Sequence, residues 1–317
     1  MRHLVSIEDL DRAGIERIVA LATNFGQVAD RPIKKLPSLR GRLVINLFYE
    51  ASTRTRSSFE LAAKRLSADV LNLVSSGSSV EKGESLRDTV ATLSAYGPDA
   101  IVIRSPHAGA PTLLTGWTHA AVVNAGDGKH QHPTQALLDC YTLKQRLGSL
   151  DGCRIWIVGD LAHSRVARSC IQAFRLLGAD VTVAGPPTLV PDEFAQLGVG
   201  VTHSLENLRE ADVVYALRLQ LERMDDSFLP SLREYTTNFQ INARRLGPRQ
   251  LLMHPGPVNR GIELSGEVID SPQALITNQV AAGVVVRMAV LYEVLAGAPP
   301  ETDAPDSQSP ALEPQTA

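Results

Sequence analysis

From Phe48 to Glu60 the chain reads FYEASTRTRSSFE, which sets Ser52, Thr53, Thr55, Ser57, Ser58 and two arginines beside one another. The stretch follows the apolar run Leu43-Val44-Ile45-Asn46-Leu47 and precedes Leu61-Ala62-Ala63-Lys64-Arg65-Leu66. That order predicts a strand, a tight junction and a helix. At a helix N-terminus the free backbone N–H groups and the helix dipole attract an anion, and hydroxyls and a guanidinium of the same turn can complete the shell. Ser52, Thr53, Arg54 and Thr55 supply all of these. A second reading is local: Ser57 and Glu60 have capping-box spacing. Capping leaves Arg54 and the other hydroxyls unexplained. The junction is no P-loop, because GxxxxGK[ST] is absent. Glu50 and Arg56 are read as an ion pair that stiffens it.

Two further clusters carry chemical groups. His130-Gln131-His132 places two imidazoles at alternate positions, a spacing open to a metal, but no third ligand is nearby; His130 reads as a solvated loop residue and no metal is expected. In IWIVGDLAHSR a strand runs into Gly159-Asp160 and then a helix, in the manner of a nucleotide-binding unit. GxGxxG is missing, so the backbone has no close approach to a pyrophosphate and a nicotinamide dehydrogenase is not expected. Arg165 and Arg168, taken alone, are ordinary helix-surface cations.

The elements that must position these groups alternate in kind. LVINLF, ADVLNLV, AIVIR and AAVVNAG are strand-like runs separated by helical patterns, and a second series, RIWIVGD, ADVTVAG, VGVTH, ADVVYALR and LLMHPGP, begins at Arg154. The rhythm predicts an α/β protein with two doubly wound parallel-sheet domains of similar size. A helix from about Thr134 to Leu147 is the expected bridge, and QVAAGVVVRMAVLYEVL an apolar closing helix. The expected division is 1–133, with a helix over 279–296 packing back on it, and 134–278. Residues 297–317, rich in proline and acids, read as a disordered tail.

The chain has 317 residues, and 31 basic against 34 acidic side chains give a net charge of −3. That balance offers no general attraction to nucleic acid or to an acidic membrane, so an anion site has to be local. Three cysteines, Cys140, Cys153 and Cys170, are an odd number without metal-type spacing and predict a reducing, cytoplasmic setting. The first residues mix charges at helical spacing and read as neither signal nor anchor. No segment is expected to span a bilayer.

FYEASTRTRSSFE resembles the carbamoyl-phosphate signature of the transcarbamoylases, F-x-x-x-S-T-R-T-R. Further motifs of that family follow in order: Ser78 with Lys82-Gly83-Glu84, Arg104 in VIRSP, NAGDGKHQHPTQALLD, GDLAHSR, YALRLQLER and HPGPVNRG. The resemblance runs from about Leu4 to Leu295. It implies that Ser52, Thr53, Arg54 and Thr55 hold the phosphate, that Arg104 and His132 bond the carbonyl oxygen, and that Gln135 orients the carbamoyl amide together with backbone carbonyls near Pro255 and Gly256. It also implies that Ser78 and Lys82 reach into a neighbouring subunit's site, which makes the assembly a homotrimer. Arg165, Arg218, Gln220 and Lys82 would hold the acceptor. Two guanidinium forks suit the two carboxylates of L-aspartate. The cysteine-bearing HCLP of ornithine-using relatives is replaced by His254-Pro255-Gly256-Pro257. Some relatives carry Leu where this chain has Gly256. The implied reaction yields N-carbamoyl-L-aspartate and phosphate, the first committed step of pyrimidine synthesis, without cofactor or metal. The family further implies a possible assembly with regulatory or dihydroorotase-like chains.

Overall fold

The computed structural model describes residues 1–29, 31–74, 84–220 and 228–296. Ser78, Lys82 and the 297–317 segment lie outside the described residues. The first series of apolar runs forms β1 (Leu43–Phe48), β2 (Asp69–Val74), β3 (Ala100–Ser105) and β4 (Ala121–Asp127), paired in the order β2-β1-β3-β4. The second forms β5 (Arg154–Val158), β6 (Asp180–Ala184), β7 (Gly200–Thr202), β8 (Val213–Ala216) and β9 (Leu251–Met253), in the order β7-β6-β5-β8-β9. Every pairing within these sheets is parallel, with registers such as Val44↔Ala100 and Ile155↔Val213. Strands β4 and β8 are buried along their whole length. Burial on both faces is why their sequences are mostly apolar rather than alternating.

The connecting helices are α1 (Arg12–Ala29), α2 (Thr53–Arg65), α3 (Leu86–Ser94), α4 (Ala110–Thr115), α5 (Pro133–Leu147), α6 (Arg165–Leu176), α7 (Leu232–Phe239), α8 (Gly266–Ile269) and α9 (Ile276–Ala296). Helix α5 leads from the first sheet to the second, and α9 returns to pack on α1, α2 and α5. A shared core containing Phe59, Leu137, Phe174, Met288 and Leu291 runs beneath these helices. By length and composition α9 is apolar enough to cross a bilayer, which corrects the expectation that no segment is. It is a core helix here, with 67% of its most apolar window buried, so its apolarity answers to packing.

Ligands of open parallel sheets collect at the carboxyl ends of strands where the winding reverses. In the first sheet that point lies between β1 and β3, whose ends carry Phe48 and Arg104. In the second it lies between β5 and β8, which lead into Gly159 and Leu217. The two switch points thus deliver the FYEASTRTR junction, Arg104, GDLAHSR and LRLQ to neighbouring positions.

The capping-box expectation does not hold. Helix α2 starts at Thr53 with Ser52 as its N-cap, so Ser57 and Glu60 fall inside the helix, where Glu60 pairs with Lys64 one turn on at 2.5 Å. The Ser52 hydroxyl makes no capping hydrogen bond.

Candidate active site

A cavity of about 960 Å³ opens between the two switch points. Its wall takes Glu50 and Ser52 to Thr55 from the β1–α2 junction, Arg104 from β3, and His132 and Gln135 from the start of α5. From the second sheet it takes Ser164, Arg165, Arg218, Gln220 and the turn 254–257, and α9 adds Gln279 and Arg287. All expected site residues among those described therefore meet in one place. Five guanidinium groups, of Arg54, Arg104, Arg165, Arg218 and Arg287, face one carboxylate, Glu50, among the described lining residues. A wall of that composition is built for anions.

Glu50 does not serve the pairing assigned to it with Arg56. Its Oε2 accepts from Arg165 Nη2 at 2.5 Å and lies 3.2 Å from Arg104 Nε. The carboxylate braces one guanidinium from each sheet. Arg104 Nη1 also donates to the Ala125 carbonyl at 3.2 Å, and Arg165 Nη1 to the Gly128 carbonyl at 3.2 Å. Arg165 is only 5% exposed, although its type and position on a helix suggest a surface cation. Gly126 lets both arginines approach. Its φ is +117°, and a Cβ there would lie 2.9 Å from Arg165 Nε and 3.2 Å from Arg104 Nη1.

His132 caps α5 and is buried, its backbone N–H donating to Ser169 Oγ at 2.8 Å. Burial, reinforced by the charges of Arg104, Arg287 and Arg165, holds its imidazole well below the ordinary histidine pKa. The ring is therefore neutral near pH 7 and presents one N–H and one acceptor nitrogen. His130, two residues earlier, bonds Asp127 Oδ2 at 3.0 Å. Among the described residues no group of three or more His, Cys, Asp or Glu is placed to hold a metal ion.

In the second sheet Asp160 fixes the acceptor side. Its carboxylate accepts from the His163 backbone N–H at 3.1 Å and from the Gln220 N–H at 3.3 Å, and Gln220 Nε2 donates to the His163 carbonyl at 3.0 Å. The turn His254-Pro255-Gly256-Pro257 follows β9, with Gly256 at φ +65° and its virtual Cβ 3.0 Å from Arg54 Cζ. The small residue at this position thus lets the turn lie directly against the Arg54 guanidinium.

Arg287 and Gln279 were not singled out from the sequence. Arg287 is 4% exposed, donates to Ser58 Oγ at 2.7 Å and lies over the Phe59 ring; burial pulls its pKa down to about 10. Among the described residues no carboxylate reaches it within salt-bridge distance. The available signal was a lone arginine in a long apolar run, a position that requires a partner or a purpose.

Comparisons with known proteins identify the family of both halves of the chain. Residues 2–145 match the family model of the aspartate/ornithine carbamoyltransferase carbamoyl-P binding domain, and residues 151–294 that of the Asp/Orn binding domain. The chain is 54% identical over 304 residues to the aspartate carbamoyltransferase catalytic subunit of Acidothermus cellulolyticus, covering 95% of this chain and 94% of that one. Among solved structures it resembles aspartate transcarbamoylase from Trypanosoma cruzi in complex with carbamoyl phosphate and aspartate, with a TM-score of 0.83, 34% identity and coverage of 93% and 97%. The same enzyme in complex with carbamoyl aspartate and phosphate gives a TM-score of 0.81 and 35% identity, with coverage of 93% and 96%.

Proposed function

The chain belongs to the aspartate/ornithine carbamoyltransferase family, and from that premise we propose that its cavity transfers the carbamoyl group of carbamoyl phosphate to the α-amino group of L-aspartate. The observation that carries this reading is the convergence of five guanidinium groups on one cavity between two switch points. Ser52, Thr53, Arg54 and Thr55 take the phosphate at the N-terminus of α2. Arg104 and the neutral His132 donate to the carbonyl oxygen, whose charge grows as the amine attacks. Gln135 and the carbonyls of the 255–256 turn receive the carbamoyl NH2. Arg165 and Arg218, with Gln220, hold the two carboxylates of aspartate. The N–C bond forms, a tetrahedral intermediate collapses, the C–O bond to phosphate breaks, and the amine proton leaves with the phosphate. No side chain acts as nucleophile; the rate gain comes from juxtaposing two reactants and stabilising the oxyanion.

The same reading makes 1–133, together with the α9 segment, the carbamoyl-phosphate domain and 134–278 the aspartate domain. It is supported by the packing of α9 on α1 and α2; the family models divide the chain elsewhere, ending the first at 145 and carrying the second from 151 to 294. N-carbamoyl-L-aspartate and phosphate are expected in equal amounts from the two substrates; protein that binds both and forms neither overturns the assignment.

A cytoplasmic homotrimer completes the proposal, with Ser78 and Lys82 contributed by a neighbouring chain and with regulatory or dihydroorotase-like chains as further partners. The motif SSGSSVEKGES and three free, buried cysteines support it. Inactive Arg54→Ala chains mixed with inactive Lys82→Ala chains are expected to regain activity, because some hybrid sites receive both intact residues. Absence of recovery, with subunit exchange demonstrated, rules out the shared site.

A further inference from the structure

Asp139, on the α5 turn after Gln135, is wholly buried, and four side chains donate to it. Gln135 Nε2 reaches Oδ1 at 3.1 Å and Gln279 Nε2 reaches Oδ1 at 2.7 Å; Tyr215 Oη and Cys170 Sγ reach Oδ2 at 2.7 and 3.4 Å. The donors come from α5, α9, β8 and α6; α5, α9 and α6 also carry Gln135, Arg287 and Arg165, and β8 leads into Arg218.

We propose that Asp139 is a positioning residue that sets the hydrogen-bonding polarity of the carbamoyl-recognising wall, turning the acceptor oxygens of Gln135 and of the 254–256 turn toward the substrate NH2. The inference rests on the carbamoyl-transfer reading and deepens it. An ionised carboxylate only accepts, so both glutamine amides must present their NH2 ends to it and their oxygens elsewhere. For Gln279 the other end is independently fixed, since its Oε1 accepts the His254 backbone N–H at 3.0 Å. His254 Nδ1 in turn accepts the Gly256 N–H at 2.8 Å. Across a trans peptide the carbonyl points opposite to the N–H, so the Pro255 carbonyl is directed away from His254, and Pro255 lines the cavity. With its NH2 held by Asp139, Gln135 has its oxygen left as the cavity-side group. Two acceptors for one NH2 thus trace to one carboxylate.

The charged state needed is the one present near neutral pH. Burial pushes the Asp139 carboxyl up to about 6, with the four donors opposing that rise. Burial also pushes the facing Tyr215 phenol and the Cys170 and Cys140 thiols upward, so they remain protonated, and Arg287 on α9 is a cation on which the charge of Asp139 acts.

The test is a double-mutant cycle in the full-length enzyme, read as phosphate release with carbamoyl phosphate and L-aspartate varied separately. Asp139→Ala is expected to raise the KM for carbamoyl phosphate about tenfold or more, the scale of a lost oriented hydrogen bond, while shifting the KM for aspartate far less. In a Gln135→Ala background the same change is expected to raise it less than in the parent, because one of the two acceptors it orients is already gone. Equal effects on both substrates, or full additivity with Gln135→Ala, overturn the proposal while normal wild-type turnover leaves the reaction standing. A wild-type protein without transfer activity overturns both. Should Asp139→Ala fail to fold, Gln279→Leu interrupts the link to His254 alone. A raised KM for carbamoyl phosphate is expected there, and an unchanged one contradicts the inference.

Discussion

Arg54→Ala is expected to lower turnover on the order of 100-fold or more while leaving the melting temperature close to that of the parent. The size follows from removing a charge-assisted donor from the oxygens of the departing phosphate, worth about 3 kcal/mol or more of transition-state stabilisation. The unchanged stability follows from the fold. Arg54 lies at the N-terminus of α2 with its guanidinium against Gly256, and among the described residues it makes no hydrogen bond or ion pair. Its loss therefore strands no buried partner. Steady-state phosphate release and a thermal melt on one preparation check both halves. Near-normal turnover contradicts the phosphate assignment, and a collapse of stability contradicts the view that this arginine is held ready for substrate.

Gly126→Ala has the second largest expected effect and acts without touching substrate. An alanine Cβ would intrude on Arg165 Nε at 2.9 Å and Arg104 Nη1 at 3.2 Å, at a φ of +117° that side chains rarely adopt. Both guanidinium groups are tethered to Glu50, so neither yields without the other. Displacing them by the order of 1 Å is expected to lower kcat/KM about 100-fold. Gly41→Ala separates this effect from backbone strain. Gly41 also has positive φ, +79°, but a Cβ there meets nothing within 4 Å. It is expected to lose stability of about 1 to 3 kcal/mol and to keep its turnover. Comparable activity losses in the two variants would show that the arginine contact at Gly126 is irrelevant.

The sheets were legible because central strands such as β4 and β8 are buried on both faces and mostly apolar, and nine strand-like runs stand apart in the sequence, although the edge strands β2 and β7 are more exposed. The site was legible where one chain segment carries both the positioning element and the chemistry, as at Ser52 to Thr55 and at His132 and Gln135. What escaped depends on contacts between segments. Glu50 was matched to Arg56 by proximity in the chain, whereas the fold offers it Arg104 on β3 and Arg165 on α6. Ser57 and Glu60 have the spacing of a capping box, but the N-cap lies five residues earlier, at Ser52, where the helix's N-terminal groups open to the cavity. Short helices such as α4 and α7 hold too few turns to impose a period. Arg287 and Asp139 are charges on the buried faces of α9 and α5, and their partners become visible only when α5, α6, α9 and β8 are assembled.

The most direct measurement of the central claim is phosphate release from carbamoyl phosphate with L-aspartate, ornithine and N-acetylornithine compared side by side. Acceleration by L-aspartate alone is expected, with Arg165 and Arg218 as the groups that recognise its two carboxylates. Acceleration by ornithine or N-acetylornithine would contradict the acceptor assignment while retaining the phosphate site, and no acceleration by any of the three would contradict the reaction itself.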